Sequence, residues 1–138
     1  MRSFDPTGPA AQSPADLAAD LPADVLVVED DTLIAMDTAE TIAGFGVASV
    51  QTARDVAGAL QKIATRAPDF VLLDVGLIRE KSFVVAEQLE RQNIPFAFVT
   101  GYSGPAGVPA TFARYPVLRK PYTRDELMAT LRKWRGQD

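Results

Sequence analysis

Short apolar runs alternate along most of the chain with longer segments in which apolar residues recur every three or four positions. The runs cover residues 25–28, 48–51, 70–73, 96–99 and 117–119, and their length is typical of strands in a parallel sheet. The segments between them have the period of amphipathic helices. This repetition of strand and helix predicts an α/β domain over residues 24–135.

Helices are predicted after the first, second, third and fifth strands. Thr52 is expected to cap the second helix, and Thr123 with Glu126 has the spacing of a capping box at the start of the last one. The third helix is expected over residues 83–92. The side chains predicted to face the sheet are Ile34, Thr38, Ile42 and Phe45 in the first helix, Val56, Leu60, Ile63 and Ala67 in the second, Val85, Ala86 and Leu89 in the third, and Leu127, Leu131 and Trp134 in the last.

The stretch between the fourth and fifth strands breaks this alternation. It contains three glycines and two prolines between residues 101 and 109, and each such residue inside a helix costs about 1 to 3 kcal/mol. We therefore expect a degraded helix there, in the form of a loop over residues 101–114 that becomes more ordered when the neighbouring site is occupied.

Length and composition predict one folded domain with an N-terminal tail. The chain has 138 residues, of which 47% are hydrophobic, and this is enough for a single core. Residues 1–23 contain four prolines and few bulky apolar side chains, so a disordered tail is expected, with a short helix over residues 16–21 as the alternative. The folded domain is then expected over residues 24–135.

Absent residue types and the net charge exclude several classes of function. The chain has no cysteine and no histidine, which rules out disulfides, thiolate or histidine metal sites and serine-histidine triads. Its net charge of −4 disfavours nucleic-acid binding, which relies on Lys and Arg contacts to phosphates. No segment has the roughly 20 apolar residues of a membrane span, and no secretory signal is evident. We expect a cytoplasmic protein whose partners are proteins, with no membrane insertion.

Acidic residues follow two of the predicted strands. The first strand ends in Glu29, Asp30 and Asp31, and the third ends in Asp74. Because the carboxyl ends of parallel strands meet at one edge of the sheet, these carboxylates are expected to share a pocket. Such a cluster repels itself unless it binds a cation or a proton, and oxygen ligands favour Mg²⁺. The alternative is that Asp30 or Asp31 serves only as a helix cap.

Thr100 and Lys120 follow the fourth and fifth strands and are therefore expected at the same edge. A hydroxyl and an ammonium facing a metal and carboxylates would bind a small anion, and phosphate fits best because phosphoryl transfer depends on positioning and charge neutralisation. For Thr100 alone, capping of the following turn is the alternative. The sequence has neither a P-loop nor a dinucleotide-binding glycine motif after a strand.

Four motifs in this order resemble the receiver domain of two-component response regulators, the CheY-like fold. They are the segment 25–31, Asp74 with the residues just before it, Thr100 followed by Gly101, and Lys120 followed by Pro121. The segment 95–102 also resembles the PFxFATGY signature of a subgroup of single-domain receivers, with Val99 in place of the alanine. The resemblance implies a doubly wound five-stranded parallel sheet of order 2-1-3-4-5, with helices on both faces.

The resemblance also implies a role for each motif residue. Asp74 would accept a phosphoryl group from a sensor histidine kinase or a histidine phosphotransfer protein, and Lys120 and Thr100 would contact its oxygens. The implied Mg²⁺ ligands are Glu29, Asp30, Asp74 and the backbone carbonyl of Gly76. The protein would be a signalling phosphoprotein with Mg²⁺-dependent self-phosphorylation and autodephosphorylation, and not a conventional enzyme. It would act on a downstream protein partner.

The chain departs from the family pattern at the position of the aromatic switch residue. Val117 stands three residues before Lys120, where many receivers have an aromatic residue, and Tyr102 is expected to take over that switch role or else to pack on the surface. Relay of the phosphoryl group, action as a phosphate sink and allosteric output remain open. The alternative from another class is a scaffold with the receiver fold that works without phosphorylation.

Overall fold

The computed structural model describes residues 20–76, 82–101 and 108–135. The strands are β1 (Asp24–Val28), β2 (Ser49–Ala53), β3 (Phe70–Asp74), β4 (Phe96–Thr100) and β5 (Val117–Arg119). The helices are α1 (Thr32–Gly44), α2 (Val56–Thr65), α3 (Phe83–Arg91) and α4 (Arg124–Leu131), and Arg132–Arg135 continues α4 as a 3₁₀ turn. All five predicted strands and all four predicted helices are present.

The five strands form one parallel sheet in the order β2-β1-β3-β4-β5. This is the predicted order, and it places β1 and β3 side by side with Val28 opposite Leu73. The residues that follow these two positions therefore emerge at the same edge of the sheet. At the outer edge, β2 begins at Ser49 and extends to Ala53, beyond the predicted end, because an edge strand accommodates exposed polar residues.

Helices cover both faces of the sheet, as the α/β pattern predicts. Alternate residues along the buried strands point to opposite faces and divide the interior into two layers. The α2/α3 core contains Leu26, Val28, Val71, Leu73, Phe96 and Phe98 from the sheet and Ala59, Ile63, Val85, Ala86 and Leu89 from the helices. The α1/α4 core contains Val25, Val27, Phe70, Leu72, Ala97, Val99 and Leu118 from the sheet and Ile42, Leu127 and Leu131 from the helices.

Helix α1 is rotated slightly from its predicted orientation. Ala35, Thr38 and Ile42 face the sheet, whereas Ile34 is 39% exposed, so the prediction for Ile34 was wrong. The helix begins at Thr32 after the Asp31 cap, and spacings of three and four residues from Ala35 then define the buried stripe.

Helix α2 is capped by Asp55 and not by Thr52. The Asp55 carboxylate accepts a hydrogen bond of 2.7 Å from the backbone N–H of Gly58, while Thr52 lies exposed within β2. A side chain at position 58 would put its Cβ 2.9 Å from the Asp55 carboxylate, so glycine permits this close approach. The helix ends at Thr65, which leaves Ala67 outside it and exposed, contrary to prediction.

Helices α3 and α4 match their predictions closely. Val85, Ala86 and Leu89 are buried in α3, and the capping box of Thr123 and Glu126 is present at the start of α4. Leu127 and Leu131 are buried, whereas Trp134 lies in the 3₁₀ turn and is only partly buried.

Between β4 and β5, the described residues 108–116 contain a 3₁₀ turn, Ala110–Phe112, and no α-helix. The predicted degraded helix is confirmed for these residues, while residues 102–107 lie outside the described part of the chain. Phe112 and Tyr115 are buried here, and Tyr115 stacks on Phe96 with ring centroids 4.0 Å apart. Along residues 108–116, aromatic packing therefore covers the α2/α3 core.

The folded part begins earlier than residue 24. Leu21 is 5% exposed and belongs to the α1/α4 core, and the indole N–H of Trp134 donates to the backbone carbonyl of Asp20 at 3.1 Å. The boundary predicted at residue 23 therefore lies too far along the chain. The composition of residues 1–23 is that of a disordered tail on average, but Leu21 near its end is a bulky apolar residue that packs in the core. The disorder predicted for residues 1–19 and most of the alternative helix fall outside the described residues. No helix in the described ranges is sufficiently long and apolar to span a bilayer.

The change of cap gives a direct test of the α2 assignment. We expect Asp55→Ala to lower the free energy of unfolding by about 1 kcal/mol, because the backbone N–H of Gly58 loses its acceptor. Thr52→Val is the control, since it removes the hydroxyl predicted to cap the helix and keeps a β-branched side chain in β2. Urea denaturation of both variants measures the difference, and a larger loss in Thr52→Val would contradict the structure.

Candidate functional site

Three carboxylates meet at the edge of the sheet where β1 and β3 end. Glu29 and Asp30 follow β1, Asp74 is the last residue of β3, and each offers an oxygen within 4.8 Å of the other two. Glu29 and Asp74 are both buried, each with 6% exposure. The parallel pairing of β1 and β3 brings them together, as the sequence predicts.

Lys120 reaches this cluster from the end of β5. Its ammonium nitrogen lies 3.0 Å from Glu29 Oε1 and 3.4 Å from Asp74 Oδ2, so one cation contacts two of the three acids. The backbone N–H of Lys120 donates to the carbonyl of Thr100 at 2.8 Å. The lysine is therefore held by its backbone to β4 and by its side chain to the ends of β1 and β3.

Asp30 and Asp31 have different roles although they are adjacent. The Asp31 carboxylate accepts hydrogen bonds from the backbone N–H groups of Leu33 and Ile34 and so caps α1. Its own backbone N–H donates to Glu29 Oε2 at 3.0 Å, which orients the glutamate. The cap alternative therefore holds for Asp31, while Asp30 joins the acidic cluster.

Thr100 lies at the predicted end of β4 with 3% exposure. Within the described ranges its hydroxyl is buried and has no hydrogen-bond partner. A buried hydroxyl without a partner carries a desolvation cost of about 1 to 3 kcal/mol, which a ligand oxygen would offset. Among the described residues, no hydrogen bond supports the turn-capping alternative for Thr100.

The electrostatics of the cluster favour an added cation. Burial raises the pKa of Glu29 to about 7, the backbone N–H of Asp31 and the ammonium of Lys120 oppose this rise, and Asp74 adds to it. For Lys120, burial lowers the pKa, but the bond to Glu29 and the attraction of Asp74 outweigh burial, and its pKa is raised. Lys120 therefore stays protonated, and a further positive neighbour would favour the charged form of Glu29.

Of the remaining predicted site residues, the structure describes Gly76 but not Tyr102. The backbone N–H of Gly76 donates to Asp74 Oδ1 at 2.8 Å, which brings the loop after β3 against this carboxylate. Tyr102 lies outside the described residues, and its predicted role stays untested. Val117 is 38% exposed on β5, so the usual aromatic position carries no buried ring here.

Tyr122 lies next to the site, although the sequence analysis gave this residue no role. Its hydroxyl lies 3.0 Å from the hydroxyl of Thr38 on α1, and its ring packs against the α1/α4 core. Together with Glu29, Asp74 and Val99, these two residues line a small cavity beside the cluster. The position of Tyr122, two residues after Lys120, indicated that it lies near the site. Its contact with Thr38 could not be read from the sequence, because the two residues are 84 positions apart.

The cluster has the donors that Mg²⁺ requires. All three side chains offer hard oxygen ligands, and burial has raised the pKa of one of them, so a divalent cation would relieve both repulsion and desolvation. Lys120 and Thr100 add an ammonium and a hydroxyl at the same edge. This arrangement can bind a small anion in contact with the metal and can stabilise charge on it.

The chain is similar to known proteins in both sequence and fold. A family model of the response regulator receiver domain matches residues 25–132. The solution structure of SdrG from Sphingomonas melonis Fr1 is similar, with a TM-score of 0.72, 39% identity, and coverage of 83% of this chain and 97% of that one.

Two curated relatives are longer proteins. The nitrogen assimilation regulatory protein NtrX of Azorhizobium caulinodans is 30% identical over 111 residues, which are 76% of this chain and 24% of NtrX. The phyllosphere-induced regulator PhyR of Methylorubrum extorquens is 34% identical over 91 residues, which are 63% of this chain and 34% of PhyR. The chain thus spans about a quarter to a third of their length. From the family match and the parallel sheet that carries the acidic edge, the chain belongs to the response regulator receiver domain family.

Proposed function

We propose that this protein is a phosphorylatable receiver in which Asp74 accepts a phosphoryl group from a histidine kinase or a histidine phosphotransfer protein. The observation that carries this proposal is the contact of Lys120 with Asp74 and Glu29, at an edge where Thr100 has a buried hydroxyl without a partner in the described residues. The protein is then a signalling protein and not a conventional enzyme.

The proposed reaction is a phosphoryl transfer between two side chains. A carboxylate oxygen of Asp74 forms a bond to the phosphorus of a phosphohistidine, the P–N bond breaks, and its electron pair leaves with the imidazole, which takes a proton from solvent. Lys120 balances negative charge on the phosphoryl oxygens, and the hydroxyl of Thr100 donates to one of them. Mg²⁺, held by Glu29, Asp30, Asp74 and the backbone carbonyl of Gly76, would supply further charge neutralisation.

The consequence of phosphorylation is a contact with another protein. We infer that its output reaches a downstream protein partner, as relay, phosphate sink or allosteric contact. The switch role of Tyr102 and the ordering of the 101–114 loop remain part of this proposal, because residues 102–107 lie outside the described ranges.

Labelling by a small phosphodonor tests the acceptor. We expect acetyl phosphate with Mg²⁺ to label the protein and to leave Asp74→Asn unlabelled, because the amide is not a nucleophile for phosphorus. Asp37→Asn is the control, since it removes an exposed carboxylate of α1 outside the cluster. Intact mass spectrometry counts the added phosphoryl group. Full labelling of Asp74→Asn would refute the mechanism, and absence of labelling in the wild type by any donor would favour the scaffold alternative.

Metal binding separates the roles of two adjacent acids. We expect Asp30→Asn to weaken Mg²⁺ binding by about tenfold, because it removes one of the three carboxylate ligands, a loss equivalent to roughly 1.4 kcal/mol. Asp31→Asn removes the same charge one residue away and keeps a good helix cap, so its affinity should stay close to that of the wild type. Isothermal titration compares the three proteins, and equal affinities for all of them would exclude Asp30 as a ligand.

Lys120 should have opposite effects on metal binding and on labelling. We expect Lys120→Ala to bind Mg²⁺ about fivefold more tightly, because a positive charge 3.0 Å from Glu29 is removed from the cluster. The same variant should be labelled more slowly, because the phosphoryl oxygens lose their ammonium partner. Lys133→Ala, an exposed lysine beyond the end of α4, is the control. Weaker Mg²⁺ binding in Lys120→Ala would contradict the proposal that the Lys120 ammonium and Mg²⁺ compete for the same carboxylates.

A further inference from the structure

Tyr122 connects the turn after Lys120 to helix α1. The two residues that form this contact both face the interior: Thr38 has 6% exposure, and the Tyr122 ring is partly buried against the α1/α4 core. Their hydroxyls are 3.0 Å apart, and either one can donate. This side-chain hydrogen bond joins α1 to the turn between β5 and α4.

The contact lies directly beside the acidic cluster. Tyr122, Thr38, Glu29, Asp74 and Val99 line one small cavity, so the tyrosine ring forms a wall next to two of the carboxylates. The cap of α1 is Asp31, whose backbone N–H holds Glu29. Helix α1 thus positions Glu29 at its start and the Tyr122 hydroxyl two turns later.

Two contacts in the described part of the chain hold the segment on either side of Lys120. Strand β5 has only three residues, and the N–H of Lys120 bonds to the carbonyl of Thr100. Tyr122 provides the next attachment along the chain, on the other side of Lys120. The turn that carries the lysine is therefore held from β4 on one side and from α1 on the other.

We propose that Tyr122 is a positioning residue for Lys120, acting through its hydroxyl bond to Thr38. The bond holds the turn so that the Lys120 ammonium stays between Glu29 and Asp74, where it meets the incoming phosphoryl group. This inference rests on the proposed function for its chemistry, but the placement of Lys120 is a property of the protein before any phosphoryl group is bound.

The first experiment is a double-mutant cycle on the two hydroxyls. Tyr122→Phe and Thr38→Val each remove one hydroxyl at nearly constant volume. We expect each single variant to slow labelling by acetyl phosphate by about fivefold, and the double variant to be no slower than the slower single variant, because both lose the same hydrogen bond. Wild-type labelling rates in both single variants, or multiplicative effects in the double variant, would overturn the inference. If one single variant does not fold, the rate of the other decides.

Two hydroxyl deletions elsewhere serve as matched controls. Thr41→Val removes a hydroxyl of α1 that donates to the backbone carbonyl of Asp37. Tyr115→Phe removes a hydroxyl that donates to Glu90. This bond lies near the start of β4, at the edge of the sheet opposite to the acidic cluster. Both should be labelled at the wild-type rate. An equal slowing in these controls would show a general effect on stability and would overturn the specific role of Tyr122.

The second experiment tests whether the effect passes through Lys120. In a Lys120→Ala background, Tyr122→Phe should cause no further slowing, and a fivefold slowing there would overturn the inference. The Lys120 ¹³Cε resonance, observed without any phosphodonor, should shift in Tyr122→Phe and stay unchanged in Tyr115→Phe. An unshifted resonance would overturn the inference even in a protein that is labelled normally. A shifted resonance in a protein that no donor labels would support the positioning contact and reject only the proposed function.

Discussion

The parallel pairing of β1 with β3 imposes a concentration of negative charge on one edge of the sheet. Glu29 and Asp74 are buried there, because Glu29 directly follows β1 and Asp74 ends β3, and these two strands pair in the middle of the sheet. Buried carboxylates are costly unless they are paired and hydrogen-bonded. The surrounding groups, above all the ammonium of Lys120, pair with these carboxylates and offset the cost of burying them.

The lysine that offsets this charge comes from the least regular part of the fold. Strand β5 is short and lies at the edge of the sheet, and the described part of the connection that leads to it, residues 108–116, has a 3₁₀ turn and no α-helix. Stability there comes from side-chain packing: Phe112 and Tyr115 cover the α2/α3 core, while Tyr122 and Leu118 pack on the opposite face. A regular sheet therefore supplies the acids, and aromatic contacts hold the region that supplies the cation.

Features that depend on local residue types and on sheet geometry were predictable from the sequence. The acidic cluster and the approach of Lys120 follow from the end residues of parallel strands, and the strand order is the one that the resemblance to receiver domains implies. Features that depend on a helix start to within a few residues were not: the sequence predicts Thr52 as the cap of α2, whereas the structure has Asp55, which also precedes this helix. The contact of Tyr122 with Thr38 could not be predicted, because no local pattern links residues so far apart in the chain.

The hydrogen bond from the Trp134 indole to the carbonyl of Asp20 lies at the edge of the sheet opposite to the acids. Trp134 is the only tryptophan in the chain, so its intrinsic fluorescence has a single origin. That emission reports whether the segment before β1 stays attached to the end of α4. It is a spectroscopic probe of the anchored N-terminal boundary, separated by the full length of the strands from the chemistry at Asp74.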